Sequence, residues 1–141
     1  MPRPRTLFAV ASLAAAFLHP GVAAATATLT CDVEEKSFAF HLQAAVGHEA
    51  MTLSGLRGEL RLDREGIALD LDSEALMQAW IEGGDLRLRF HIYGEADRPD
   101  VDFVVLTRRR GETAHPGRYR LIIGGGETRR TRRGAIGCVL G

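Results

Sequence analysis

The sequence predicts a mainly β fold: a single-domain antiparallel β-sandwich or small β-barrel of about eight strands with one short helix. Three observations carry this. Apolar and polar residues alternate with period two in successive short stretches, glycine-rich or charged turns separate those stretches, and two cysteines bracket the whole. A length of 141 residues suits one domain, and 45% hydrophobic with 26% charged residues is a globular composition. Together these exclude a multi-domain enzyme, a polytopic membrane protein and a cysteine-rich mini-scaffold.

The amino-terminal segment has a different character. Arg3 and Arg5 precede an unbroken apolar or small run of 12 residues at 7–18, then His19, Pro20 and Gly21, then small residues up to Ala25. Charged start, short apolar middle and small-residue exit define a secretory signal over residues 1–25, cleaved after Ala24 or Ala25. The run is too short for a membrane anchor, which needs about 20 residues to cross the hydrocarbon. The expected mature product is a β-domain of residues 26–141 with no membrane span, periplasmic or secreted.

Within it, strands are expected at 27–33, 37–44, 58–62, 66–72, 85–93, 101–107, 117–123 and 134–140. The stretch 85–93 is the clearest. Leu86, Leu88, Phe90 and Ile92 take one face, and Arg87, Arg89, His91 and Tyr93 take the other, the pattern of a half-buried antiparallel strand. Residues 73–81 depart from it. Ser73 suits a helix cap, Leu76 with Trp80 and Met77 with Ile81 are spaced i,i+4, and Gly83–Gly84 follow. This predicts a short helix that plugs one end of the sheet assembly, with Trp80 as its core anchor.

Cys31 and Cys138 stand near the two ends of the mature chain, 107 positions apart. In an oxidising compartment an even pair is expected to form a structural disulfide, worth roughly 4–5 kcal/mol by loop entropy. No Cys-x-x-Cys redox spacing competes with that reading.

Charge is balanced overall, 18 basic against 18 acidic residues, but unevenly placed. Residues 32–106 carry 16 acidic and 7 basic side chains; residues 107–141 carry 2 acidic and 9 basic. Neutralisation between neighbouring strands is the expectation for most of these charges. The arginine runs Arg108, Arg109, Arg110 and Arg129, Arg130, Arg132, Arg133 are nevertheless candidate anion-binding residues, because the guanidinium fork fits phosphate and carboxylate. Nucleic acid is not an expected partner, since no aromatic residues interleave the arginines and the chain is exported.

Catalytic arrangements are missing from the sequence. There is no Gly-x-Ser-x-Gly elbow and no phosphate loop, and His48-Glu49 lacks the second histidine of a zinc-protease motif. His41 and His91 lie on polar strand faces and would meet only if those strands paired. Asp63, Glu65, Asp70 and Asp72 read as solvent-side charges rather than a glycosidase pair. Asp97, Asp100 and Asp102 crowd one loop as a weak calcium candidate without the register of an EF-hand. No cofactor, metal or catalytic residue is therefore expected. The expected function is a non-enzymatic, inhibitor-like binding protein for an envelope protein or polyanion, with carriage of a small or lipidic ligand inside a barrel as the alternative.

Overall fold

The computed structural model describes residues 27–47 and 52–141. The leader at 1–25 and the pair His48 and Glu49 lie outside the described residues. Nine strands follow in order: β1 (Ala27–Glu35), β2 (Phe38–Val46), β3 (Leu53–Leu62), β4 (Ile67–Leu71), β5 (Leu76–Glu82), β6 (Asp85–Ile92), β7 (Val101–Arg108), β8 (Ala114–Ile123) and β9 (Arg130–Leu140). A single 3-10 turn, Gly126–Thr128, is the helical content of the described residues. Among them no helix is long and apolar enough to cross a membrane.

The strands form one sheet in the order β4-β3-β2-β1-β9-β8-β7-β6-β5, with antiparallel pairing throughout. The first and last strands are thus neighbours, and the sheet curls into a nearly closed barrel. Direction decides how the remaining gap is bridged. With β1 antiparallel to β9 and every hairpin antiparallel, β4 and β5 run the same way. Only residues 72–75 separate them, whereas a parallel neighbour needs a crossover of about a dozen residues. Residues 67–82 therefore act as one bent strand whose first half pairs with β3 and second half with β6. Counted this way the barrel has eight strand positions, the even number that antiparallel closure requires.

At the bend, Asp72 Oδ1 accepts hydrogen bonds from the amides of Glu74 and Ala75 at 2.9 and 3.2 Å. The His91 amide then donates to the Ala75 carbonyl at 2.9 Å, the first link to β6. This corner replaces the helix predicted at 73–81. Gly83 and Gly84, with φ of 59° and 87°, do not stop a helix but form the two-residue turn of the β5–β6 hairpin. A bulge at Met77 shifts the β5 register between Leu76 and Gln78. Leu76 and Ile81 are consequently both turned to the core although five apart, which breaks the period-two alternation by which a strand is recognised. A nine-residue helix is marginal alone, while pairing satisfies the open edge of β6. Trp80 is not a core anchor: it is 43% exposed, with the Arg87 guanidinium 5.9 Å from its ring centroid.

A second bulge lengthens β3. Gln43 opposes Arg57 and Ala45 opposes Ser54, leaving Gly55 and Leu56 against Ala44 alone. Gly55 adopts φ 58°, open to glycine at little strain. The strand predicted at 58–62 thus extends back to Leu53.

The interior is filled by side chains. Phe40 and Phe103 have ring centroids 4.6 Å apart, Phe38 and Tyr119 4.9 Å, and all four are buried with Phe90. Leucines from β2, β3, β6 and β8 complete the packing. Cys31 and Cys138 stand directly opposite on β1 and β9, form the disulfide expected from the sequence, and are buried. The bond therefore ties the ends of the chain where the ladder closes.

Candidate anion-binding face

On β6, β7, β8 and β9 the outward residues line up in rows across the sheet. One row reads Arg89, Val104, Arg120, Arg133, and the next reads Arg87, Leu106, Arg118, Ala135. Trp80 of β5 lies opposite Arg87 and continues the second row. Between the rows an open hollow of about 580 Å³ has Val104, Leu106 and Ala135 as its floor and Arg118, Arg120 and Arg133 as its banks. A second hollow of about 330 Å³ shares Leu106 and Arg118 with the first and leads to Trp80. The two make one groove.

The rows depend on glycines behind them. A Cβ on Gly134 would lie 2.5 Å from Tyr119 Cε1 and 2.6 Å from Glu35 Oε1. The Tyr119 ring occupies that space and donates its hydroxyl proton to Glu35 at 2.9 Å. Burial first, then that carboxylate, push the Tyr119 hydroxyl well above the usual tyrosine range. Gly117 likewise allows β8 to approach the Leu106 carbonyl more closely than any side chain would permit.

The arginines fall into two classes. Arg89 donates twice to Asp102, at 3.0 and 3.2 Å, and Arg108 twice to Asp85, at 2.7 and 3.0 Å. The Arg108 hydrogen bonds hold the Asp85 carboxyl below its ordinary range, against a smaller opposing effect of burial. Arg130 reaches Glu65 at 3.3 Å. Arg132 turns the other way, donating to Ser37 Oγ at 2.8 Å with its guanidinium 5.8 Å from the Phe38 ring centroid. Among the described residues Arg118, Arg120 and Arg133 have no carboxylate partner within 4.0 Å. Arg120 and Arg133 moreover stand directly opposite on neighbouring strands, an arrangement that destabilises a sheet.

The candidate arginine runs are thereby split. Arg108, Arg130 and Arg132 are engaged within the protein, and Arg109 and Arg110 lie past the end of β7, where Arg109 donates its amide to the Gly84 carbonyl at 2.7 Å. Arg129 is exposed beside the 3-10 turn. Arg133 lines the main hollow, and Arg108 lines the second, where Asp85 holds it. Arg118 and Arg120, beside Arg133, belong to neither run; their signal was the alternation Arg-Tyr-Arg at 118–120, a strand with arginines on one face and Tyr119 on the other.

The remaining candidates stay apart. His41 contacts Asp32 on β1, while the His91 ring packs edge-on against Tyr93 at 4.6 Å; β2 and β6 do not pair with each other. Asp100 accepts the Gly94 amide at 2.6 Å, Asp102 is held by Arg89, and Asp97 projects from the turn. Among the described residues no three or more His, Cys, Asp or Glu side chains are placed to hold a metal ion. Exposed acids lie outward on β1–β4 instead: Asp32 and Glu34 on β1, the neighbour of β9, and Glu59 and Asp70 on β3 and β4, across the barrel from β8.

One buried group has no role in the groove. His115 faces inward opposite Cys138, is 2% exposed, and among the described residues neither ring nitrogen has a hydrogen-bond partner. Burial, and secondarily the Arg109 charge, lower its pKa below the 6.5 of a free imidazole. Nothing among known proteins adds to this picture: no family model, no curated protein and no solved structure matches the chain.

Proposed function

We propose that this chain is a small exported, non-enzymatic β-barrel module that binds an anionic partner of the cell envelope through the outer face of β7–β9. One observation carries the reading: Arg118, Arg120 and Arg133 surround an apolar floor without carboxylate partners among the described residues, and two of them oppose each other across the ladder. Like charges placed face to face lower stability, so an anion that bridges them relieves a cost the fold otherwise bears. Guanidinium groups suit phosphate or carboxylate, which they can grip in bidentate fashion. The apolar leader and the disulfide are compatible with an oxidising destination. Aromatic packing inside the barrel supports use of the outer face over carriage of a ligand within.

Retention on a heparin column tests this. Arg118→Glu/Arg120→Glu/Arg133→Glu is expected to elute at much lower salt than the parent, while Arg109→Glu/Arg110→Glu shifts little. Equal elution of the triple variant and the parent would remove the basis of the reading.

A further inference from the structure

Resting on that reading, we infer that the groove takes an anionic phospholipid at a bilayer surface, with phosphate between Arg120 and Arg133 and the chain-bearing portion along Leu106 toward Trp80. The character of the floor is the first reason. Val104, Leu106 and Ala135 are aliphatic, and no asparagine or glutamine side chain lines either hollow to read sugar hydroxyls. Glycan recognition relies on such amides and on stacked rings; an aliphatic floor between guanidinium banks suits an amphiphile.

Backbone pairing is the second. β7 is paired to β6 and β8, and β8 to β7 and β9, so an acidic peptide finds no open strand edge to extend at the groove. It would have to bind through side chains alone, without the main-chain hydrogen bonds of strand addition. A lipid headgroup needs none.

Exposed apolar side chains are the third. Trp80 and Leu106 are 43% and 40% exposed along the same groove, and Met77 at the bulge is 56% exposed. Amphipathic ring and aliphatic groups beside basic residues are the two signals that together hold a protein at an anionic interface. The 580 Å³ of the main hollow is within the usual range for a small-molecule site. Across the barrel the acidic residues Glu59 and Asp70, on β3 and β4, would face away from such a surface.

Trp80 is the single tryptophan of the chain, so its emission reports directly on the groove. Vesicles of phosphatidylglycerol are expected to shift that emission to the blue and to co-sediment the protein, and vesicles of phosphatidylcholine to do neither. Each basic residue near an anionic surface contributes on the order of fivefold in affinity. Arg120→Glu/Arg133→Glu is therefore expected to lower affinity for phosphatidylglycerol vesicles at least about tenfold, and heparin retention with it. Leu106→Ser, at an exposed position, is expected to weaken vesicle binding several-fold more than it lowers heparin retention. Retention on heparin or capture by polyglutamate without any vesicle binding would overturn the lipid assignment and leave the anion-binding reading standing. Vesicle binding unaffected by Leu106→Ser would overturn it too. Failure of the parent protein to bind heparin, polyglutamate and vesicles alike would remove both.

Discussion

β8 and β9 show two faces of one pair of strands put to opposite ends. Inward they present Tyr119, Leu121, Ile136 and Cys138, all buried, with the disulfide joining β9 to β1. Every one of these contacts lowers the free energy of the folded state. Outward the same strands present Arg118, Arg120 and Arg133, which gain no carboxylate among the described residues and repel one another across the ladder. Arg108 and Arg130, with the same side chain, each find an acid. The sheet therefore has the means to neutralise arginines and does not do so here. This contrast between the two faces is the basis on which a bound anionic partner is proposed.

The inner face can be broken in graded steps. Replacing both cysteines, Cys31→Ala/Cys138→Ala, is expected to cost about 2–5 kcal/mol in urea unfolding, because the bond closes a loop over nearly the whole domain. Gly134→Ala should cost about 1–3 kcal/mol, since the new methyl displaces the Tyr119 ring and its bond to Glu35. Gly117→Ala should exceed it, because the obstruction there is the Leu106 carbonyl rather than a side chain.

His115 gives a smaller effect with a pH signature. The folded protein favours the neutral ring, so the unfolded chain takes up a proton first as pH falls past 6.5. Stability from this residue is whole above that value and declines below it until the folded ring also protonates. The Asp85 contribution is lost separately, as pH falls below 3.8 toward its depressed folded value. Unfolding measured between pH 7 and 5 isolates the histidine. His115→Leu should flatten the slope there and raise stability at neutral pH by on the order of 1 kcal/mol, as two unpaired buried nitrogens are removed.

Much of this was legible in the sequence where period two is unbroken. β6 has Leu86, Leu88 and Phe90 buried and Arg87 and Arg89 exposed, as alternation requires, and the Cys31–Cys138 pairing is the single one that two cysteines allow. Legibility fails at bulges. The extra residue at Met77 turned a strand into an apparent helix, and Gly55 hid the first half of β3, because each shifts which residues share a face. The candidate site was legible only in part for a related reason. A run such as Arg132-Arg133 looks contiguous in sequence, but on a strand its members point to opposite faces, one to Phe38 and one to the groove. Arg118 and Arg120 join Arg133 only through the β8–β9 register, which spacing along the chain does not contain.

The smallest change in stability makes the sharpest test. Arg133→Glu places an acid opposite Arg120 and converts a repulsive pair to an attractive one, worth roughly 0.2–1 kcal/mol in favour of the fold. Thermal unfolding and heparin elution should be measured on this one variant beside the parent. The expected result is a melting temperature equal to or above the parent's together with elution at clearly lower salt. Unchanged elution, or weaker binding accompanied by a lower melting temperature, would contradict a face kept for binding at the expense of stability.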